Sequence, residues 1–281
     1  PLTVRWYGLF VAAGFLVGFA ALNVRAKRRG YRVEDAADLA FWLMVGGIVG
    51  ARALYVVQRW SFFARYPHEI VRIDHGGLVF YGGLFGACAA AWLGCRVKRI
   101  ELGGVADLLA PALPLGHAVG RVGCFLNGCC FGKPTECVLG VQYPAGSAVQ
   151  RVQVELGHLS ADAAHPLPVF PNQLVHVLMN VAIFGLILLL ERRVRKRGQV
   201  FTLYLMLYAA GRFAVEFGRG DYLNRVGILT PAQVICLLLF PAGLVIFVLL
   251  RRFGAPREVR VSTTGGQGAA DRPEPDAEDS P

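Results

Sequence analysis

Residues Tyr7–Val24 read YGLFVAAGFLVGFAALNV, a stretch of eighteen residues without a charged side chain. A helix of about 20 apolar residues crosses a bilayer core about 30 Å thick, and lipid offers no hydrogen bonds to an irregular backbone. The stretch therefore predicts a transmembrane helix. Because similar stretches recur along the chain, we predict an all-α integral membrane protein.

Six further apolar blocks follow the first. The 281-residue chain is 55% hydrophobic and 17% charged, whereas a soluble domain carries roughly 25% charged residues. Seven such blocks are hard to bury in one soluble core, which disfavours a soluble helical protein. Pro111 and Pro114 each remove a backbone donor, so we expect a kink in the fourth helix. The seven blocks are Tyr7–Val24, Leu39–Val57, Gly76–Cys95, Leu102–Val119, Gln173–Leu190, Val200–Phe217 and Thr230–Leu250.

The basic residues are distributed unequally between the two sets of loops. The loops after the first, third, fifth and seventh blocks hold seventeen Lys and Arg residues, and the opposite set holds nine. Cytoplasmic loops carry the basic excess, which predicts an N-terminus outside and a C-terminus in the cytoplasm. The net charge of +10 then reflects topology and contact with anionic membrane lipid. Since the basic runs are short loops between helices, we expect no nucleic-acid partner.

Two segments lie outside this plan. Residues 120–170 connect the fourth and fifth blocks and predict a small extracytoplasmic head within a membrane domain spanning 1–260. Residues 261–281 are rich in Gly, Pro, Asp and Glu, a composition typical of disorder, and we expect a disordered cytoplasmic tail.

Polar groups at membrane depth are costly and usually line a cavity or a path. In the sixth block Tyr208, Arg212 and Glu216 recur every four residues, so they share one helix face, and Arg219 follows closely. The planar guanidinium of an Arg grips a phosphate with two hydrogen bonds. The face therefore indicates an anion-binding site, with a structural Arg212–Glu216 ion pair as the alternative.

Glycine-rich segments supply further candidates. Residues 120–132 read GRVGCFLNGCCFG; their glycines allow close backbone approach to a ligand, and Arg121 adds a second cation. Residues 75–83 read HGGLVFYGG, in which glycine pairs flank Tyr81. The alternatives are a tight re-entrant turn for the first segment and helix packing through small residues for the second. Near the N-terminus, Trp6 and Tyr7 are typical of an interfacial aromatic belt.

Taken together, these residues resemble one known family over nearly the whole chain, from Arg5 to about Leu250. The matching features are Trp6-Tyr7-Gly8, Arg52, Gly76-Gly77, Gly82-Gly83, Asp107, Pro111, Pro114, Gly116, Gly120-Arg121-x-Gly123, Pro171-x-Gln173-Leu174, Tyr208, Arg212, Glu216, Arg219 and Asp221. In order and spacing they resemble prolipoprotein diacylglyceryl transferase, a bacterial enzyme of the cytoplasmic (inner) membrane. The resemblance implies a multi-pass enzyme with seven helices and an outer N-terminus.

The resemblance also implies a reaction. The diacylglyceryl group of phosphatidylglycerol passes to the thiol of a lipobox Cys in a prolipoprotein, a thioether forms, and glycerol-1-phosphate leaves. It implies no metal and no organic cofactor. We expect Arg121, Arg212 and Tyr81 to be catalytic. Expected substrate-binding residues are Tyr7, Gly82, Gly83, Gly123, Asn127, Gly132, Tyr208, Glu216 and Arg219.

The chain departs from the family pattern at five positions. Tyr81 stands where many members carry a His that has been proposed as the base, and a Tyr with an ordinary pKa near 10 is a poor base. Tyr81 could instead orient the phosphate. These departures keep open an alternative, a non-catalytic relative that binds or moves an anionic lipid or lipopeptide. The other changes are Cys124 for Asn, Cys129 for Glu, Phe170 for His and His176 for Glu.

Four of the seven cysteines fall in the predicted extracytoplasmic segment: Cys124, Cys129, Cys130 and Cys137. An oxidising compartment favours disulfides, so we expect one or two bridges with a structural role. Metal binding is the weaker alternative because the spacing lacks paired C-x-x-C arms, and free structural thiols are the third. The other three cysteines are predicted to fill apolar space.

Overall fold

The computed structural model describes residues 6–72, 76–221 and 227–256. Arg5, His75 and the predicted tail 261–281 lie outside the described residues. Within them the chain forms nine α-helices and two short 3₁₀ segments, Pro67–Val71 and Glu191–Arg193. The helices are α1 Trp6–Arg28, α2 Val33–Gln58, α3 Trp60–Phe63, α4 Phe80–Val97, α5 Leu102–Asn127, α6 Ala148–Glu155, α7 Asn172–Leu190, α8 Gln199–Glu216 and α9 Pro231–Phe253.

The seven apolar blocks correspond to the seven long helices of the described chain, α1, α2, α4, α5, α7, α8 and α9. Five of them are long and apolar enough to cross a membrane by composition: α1, α2, α5, α7 and α9. The helices α4 and α8 have 18 residues each. The all-helical membrane fold is thus confirmed, whereas seven crossings and their orientation stay predictions.

The fourth predicted helix differs most from its block. Pro111 and Pro114 lie inside α5, which continues without interruption to Asn127. The connection to α7 therefore begins at Gly128, eight residues after the predicted start of the head. In this connection Phe131, Val149 and Val169 form a small buried core, with α6 capped by the Ser147 side chain.

Glycine residues lie where the paired helices approach each other most closely. α2 packs mainly on α4, and α1 on α5. A Cβ at Gly82 would collide with the carbonyl oxygen of Gly50, and one at Gly86 with that of Gly46. A Cβ at Gly14 of α1 would lie 2.6 Å from the Gly116 oxygen. These helices approach closely because small residues face each other, as is common between membrane helices.

The carboxylate of Asp107 joins α5 to α8. It is buried and accepts hydrogen bonds from the backbone N–H groups of Gly198 and Phe201, each at 3.0 Å. The first N–H groups of a helix have no partner within the helix, and a carboxylate there also complements the helix dipole. Asp107 therefore fixes where α8 begins, and α8 carries Arg212.

We expect Asp107→Ala to destabilise the protein by about 2–6 kcal/mol, because two backbone donors, one buried and one partly buried, lose their acceptor at about 1–3 kcal/mol each. Thermal unfolding in detergent measures this change. The matched control is Asp162→Ala, since Asp162 lies exposed in the head and bonds Ser160. Equal melting temperatures for Asp107→Ala and the control would contradict the capping role.

Ion pairs collect at the opposite end of the bundle from Arg212. Glu191, at the end of α7, contacts Arg25 at 2.5 Å and Arg29 at 3.1 Å, both at the end of α1. Arg197, just before α8, pairs with Glu101, just before α5. These contacts gather the predicted cytoplasmic loops at one end of the molecule.

Candidate active site

Three helices bring polar side chains together at the other end of the bundle. The C-terminal half of α5 supplies His117 and Arg121, the first turns of α7 supply Gln173 and His176, and the last turns of α8 supply Arg212. α5 packs on both α7 and α8. Gln173 and His176 have no exposed surface, and Arg212 is 8% exposed. The sequence-predicted cations of α5 and α8 therefore belong to one largely buried region.

Arg212 is held by neighbours on two sides. It forms the predicted ion pair with Glu216 on its own helix, and its Nη1 lies 3.2 Å from Nε2 of His176 on α7. The Oε1 atom of Glu216 accepts a hydrogen bond from the hydroxyl of Thr230 at 2.9 Å. Thr230 in turn caps α9 in a capping box with Gln233. Arg212 thus has a fixed position, and the structural ion pair that the sequence left open is present.

Arg121 is held more lightly than Arg212. Its Nε donates to Nε2 of His117, one turn earlier on α5, at 3.0 Å. Among the described residues this is its one hydrogen bond, which leaves the terminal nitrogens of the guanidinium for a ligand. The His117 ring lies against Tyr208, with centroids 5.6 Å apart. The predicted residues Arg121 and Tyr208 are therefore linked through His117.

A third cation, Arg219, follows α8. Its guanidinium donates two hydrogen bonds to Asp221, at 2.9 and 2.7 Å, and its Nη1 lies 3.9 Å from Oε2 of Glu216. Arg121, Arg212 and Arg219 are called the arginine cluster below. In the described parts of the chain, the carboxylates of Glu216 and Asp221 contact these guanidinium groups, so the cluster keeps a positive balance suited to an anionic ligand.

The backbone around Gly132 ties this region to the loop after α5. The Gly132 N–H donates to the Phe170 oxygen at 2.8 Å, and the Lys133 N–H donates to the Gly218 oxygen at 3.2 Å. A Cβ at Gly132 would lie 2.6 Å from the Phe170 oxygen. Only glycine allows this threading of the loop between the start of α7 and the end of α8. This close packing explains why residue 132 is a glycine. The role of Gly132 in substrate binding stays a prediction.

Tyr7 and Gly123 meet where α1 packs on α5. A Cβ at Gly123 would lie 2.7 Å from Cβ of Phe10 and 3.4 Å from the Tyr7 oxygen. The Tyr7 hydroxyl interacts electrostatically with Arg121 and with the nearby cysteines. Tyr7 is 44% exposed, so it lies at the edge of the region, and its role in substrate binding stays a prediction.

Tyr81, Gly82 and Gly83 occupy the start of α4 and belong to the α2–α4 pair. Tyr81 is 43% exposed. A Cβ at Gly82 would collide with Gly50, and one at Gly83 would lie 3.2 Å from the Gly47 oxygen. The geometry favours helix packing for both glycines. Their part in substrate binding, and the catalytic part of Tyr81, stay predictions.

The segment before Tyr81 is anchored by Arg52 of α2, which is 8% exposed. Its guanidinium stacks on the rings of Tyr55 and Phe63, at 5.4 and 5.3 Å from the ring centroids. Before the structure, Arg52 was known only as part of the family resemblance; in the structure it holds this segment. It donates to the carbonyl oxygens of Glu69, Ile70, Arg72, Gly76 and Gly77 at 2.6–3.1 Å.

The cysteine segment lies against the same end of α5. All seven cysteines are free thiols; the sulfur atoms of Cys124, Cys129 and Cys130 lie within 4.8 Å of one another. Cys137 is exposed and is not a member of this group. The predicted bridges stay predictions, and the cysteines close enough together to form one near Arg121 are Cys124, Cys129 and Cys130.

Two residues fix this segment from outside. Gln173 donates to the Cys129 oxygen at 2.8 Å, and the Tyr143 hydroxyl donates to the Phe125 oxygen at 2.8 Å. Burial raises the pKa of Tyr143 to about 12, so its hydroxyl stays protonated and remains a donor at neutral pH. Asn127, the last residue of α5, is exposed, and its role in substrate binding stays a prediction.

Sequence reasoning missed His117, Thr230 and the orienting role of Gln173. His117 lies four residues before Arg121, the spacing that places two side chains on one helix face, so that signal was readable. The role of Thr230 could not be predicted from the sequence, because Thr230 contacts Glu216 only when α9 packs beside α8. The Nδ1 atom of His176 and the Oε1 atom of Gln173 are buried without a hydrogen-bond partner among the described residues, which suits a polar ligand.

Comparison with known proteins agrees with the resemblance. The model of the family "Prolipoprotein diacylglyceryl transferase" matches residues 1–249. The chain is 31% identical to a phosphatidylglycerol–prolipoprotein diacylglyceryl transferase of Clostridium tetani over 88% of this chain and 93% of that protein. It is 34% identical to one of Nostoc sp. over 87% and 84%, and 32% identical to one of Bacillus velezensis over 90% of each. With the arginine cluster at the end of a helical membrane bundle, the chain belongs to the prolipoprotein diacylglyceryl transferase family.

Proposed function

We propose that this protein transfers the diacylglyceryl group of phosphatidylglycerol to the lipobox cysteine of prolipoproteins. The thiol sulfur attacks the glyceryl carbon that carries the phosphate, and a carbon–sulfur bond replaces the carbon–oxygen bond. Glycerol-1-phosphate leaves, and the thiol proton passes to a base. The names of the relatives support both substrates, and the arginine cluster supports the anionic leaving group.

One observation carries the proposal: Arg121 and Arg212 share a largely buried region, and the terminal nitrogens of Arg121 remain available. Charge develops on the phosphate oxygens as the carbon–oxygen bond breaks, and prepositioned donors stabilise it without reorganising. Arg121 supplies a guanidinium group whose terminal nitrogens can donate hydrogen bonds to the phosphate. Arg212, fixed by Glu216 and His176, supplies a second cation that does not move during the reaction.

The other predicted residues fit around this pair. Tyr208 lies beside His117 and lines the same region, and Arg219 and Glu216 complete its charges. Gln173 and His176 offer polar atoms to the glycerol or to the peptide. Tyr81 and Tyr7 are both partly exposed, and in this proposal they orient lipid that enters sideways. No metal or organic cofactor is needed for this displacement.

The membrane placement belongs to the same proposal. An 18-residue helix is about 27 Å long, close to the bilayer core of about 30 Å, so α4 and α8 can cross beside the five more apolar helices. Seven crossings with the basic loops inside put the N-terminus and the arginine cluster on the outer side of the cytoplasmic membrane. Secreted precursors and outer-leaflet phosphatidylglycerol are both available there.

We expect purified protein, supplied with phosphatidylglycerol vesicles and a lipobox peptide, to yield a diacylglyceryl-modified peptide and an equal amount of glycerol phosphate. Mass spectrometry of the peptide and an enzymatic phosphate assay measure the two products. A peptide with Ser in place of the lipobox Cys is the control. Complementation of a bacterium depleted of its own transferase tests the same activity in cells.

The second candidate is the non-catalytic relative, which the replacements at Tyr81, Cys124 and Cys129 keep open. It predicts that folded protein binds phosphatidylglycerol, that Arg121→Ala abolishes this binding, and that no lipobox peptide is ever modified. Modified peptide from the purified protein would exclude it.

A further inference from the structure

Three thiols meet at the C-terminal end of α5. Cys124 lies in the last turn of the helix and is buried, and Cys129 and Cys130 follow the helix directly. Their sulfur atoms lie within 4.8 Å of one another. We call these three residues the thiol triad. The spacing of these cysteines in the sequence did not indicate the triad, because they are not arranged as paired C-x-x-C arms.

The backbone turn after α5 creates the triad. Gly128 has φ +67° and Cys130 has φ +58°, so the chain reverses and returns toward Cys124. The Cys129 N–H donates to the Cys124 oxygen at 3.1 Å. A left-handed conformation costs a residue other than glycine about 1–2 kcal/mol. The described chain has one other such residue, Arg99, so the conformation of Cys130 marks a place where the fold holds a side chain in position.

Cations lie next to the triad. Cys130 interacts electrostatically with Arg219 and with Arg121, and Arg121 lies one turn before Cys124. Three thiolates around a metal ion leave a net negative charge of one or two. The neighbouring guanidinium groups would offset that charge in a region that is largely shielded from water.

We propose that the thiol triad binds one soft metal ion, Zn(II) or Cu(I). Thiolates select these ions over hard cations. Each S–H loses its proton to solvent, three metal–sulfur bonds form, and no atom changes oxidation state. Metal–sulfur bonds of about 2.3 Å place the sulfurs about 3.8 Å apart, so a small contraction of the triad completes the site. Zn(II) would take an external fourth ligand, and Cu(I) would be three-coordinate.

A bound ion would act on the transferase through position. It would link the last turn of α5 to the segment after it, and it would hold Arg121 with respect to the loop that threads through Gly132. It would also protect the three thiols from oxidation on the outer side of the membrane. The metal site does not depend on the proposed transfer reaction, because the ion can bind without either substrate.

The test is metal binding by the full chain, reduced and kept anaerobic in detergent, without lipid or peptide substrate. Zn(II) and Cu(I) are titrated separately against a chromophoric chelator, and bound metal is measured by mass spectrometry of the elements. We expect one tightly bound equivalent of at least one ion. Loss of an outer-shell partner costs a metal site about 10- to 100-fold in affinity, so we expect Cys130→Ser, which removes a ligand sulfur, to weaken binding by about 100-fold or more. We expect Cys137→Ser, which is outside the triad, to leave binding unchanged.

Because Cys130→Ser could disturb the turn itself, a second measurement uses the unaltered protein. Thiols are alkylated with and without the bound ion and counted by peptide mass spectrometry. The proposal expects Cys124, Cys129 and Cys130 to become protected together, with Cys137 labelled in both samples. Failure to bind either ion, uptake undiminished in Cys130→Ser, or protein isolated without reductant that carries a disulfide within the triad would overturn it.

Discussion

Arg212→Lys is expected to lower kcat/KM at least about 100-fold, although the positive charge is kept. The ammonium group of Lys cannot reproduce the two-point grip of a guanidinium on phosphate, and it cannot at once reach Glu216 and His176. Removing one prepositioned donor from a developing oxyanion costs about 100- to 1000-fold in rate. The measurement is initial-rate formation of modified lipobox peptide over a series of phosphatidylglycerol concentrations.

Arg197→Lys is the matched control for this prediction. Arg197 lies just before α8 at the opposite end of the helix and pairs with Glu101, so the same chemical change there should leave turnover nearly normal. Melting temperatures of both variants separate lost catalysis from lost folding. Near-normal turnover in Arg212→Lys would leave Arg212 with the structural ion pair alone.

Arg121→Ala is expected to produce a loss of similar or greater size, about 100- to 1000-fold. Unlike Arg212, this guanidinium has a single hydrogen bond among the described residues, to His117. Its removal should therefore cost little stability and much activity. Equilibrium binding of phosphatidylglycerol, measured beside the transfer rate, shows how much of the loss arises before the chemical step.

Arg151→Ala supplies the control for Arg121→Ala. Arg151 lies on α6 in the connection between α5 and α7 and is exposed. The substitution Arg151→Ala therefore removes the same charge from the same end of the protein. Rate and lipid affinity should both be retained there. If Arg121→Ala turned over at the normal rate, the leaving group would need another cation, and Arg219 would be the first to examine.

Much of the fold was predictable because its signals are local. A run of about twenty apolar residues commits a segment to a helix wherever it lies in the chain, and all seven predicted blocks became long helices. The predicted end of the fourth helix, Val119, was wrong for a local reason. The glycines at 120 and 123 are typical of a turn, but residues 120–123 have helical neighbours on both sides, and α5 continues through them to Asn127.

The site was predictable in part. Tyr208, Arg212 and Glu216 share a face by periodicity alone, and the glycine-rich segment 120–132 indicated Arg121 as a second cation. His117 was recoverable from its spacing of four residues to Arg121, whereas the contacts of Gln173 with Cys129 and of Thr230 with Glu216 entered only with the structure. Those contacts join different segments of the chain, and no pattern within one helix specifies which neighbour it will meet. For Gly82 and Gly83 the geometry favours packing, since the partner glycines on α2 became visible only once the helices were paired.

The sequence by itself determined that this protein is a helical membrane protein of the prolipoprotein diacylglyceryl transferase family, since hydrophobic run length and motif order are properties of the chain. Tertiary structure decided the rest. Glycine pairs allowed α2 to meet α4 and α1 to meet α5, which set the helix arrangement through close backbone approach. The packing of α5 on α8 placed Arg121 in the same region as Arg212, and the left-handed turn after α5 brought three cysteines into one group. Each of these depends on contacts between distant residues, which only the folded chain provides.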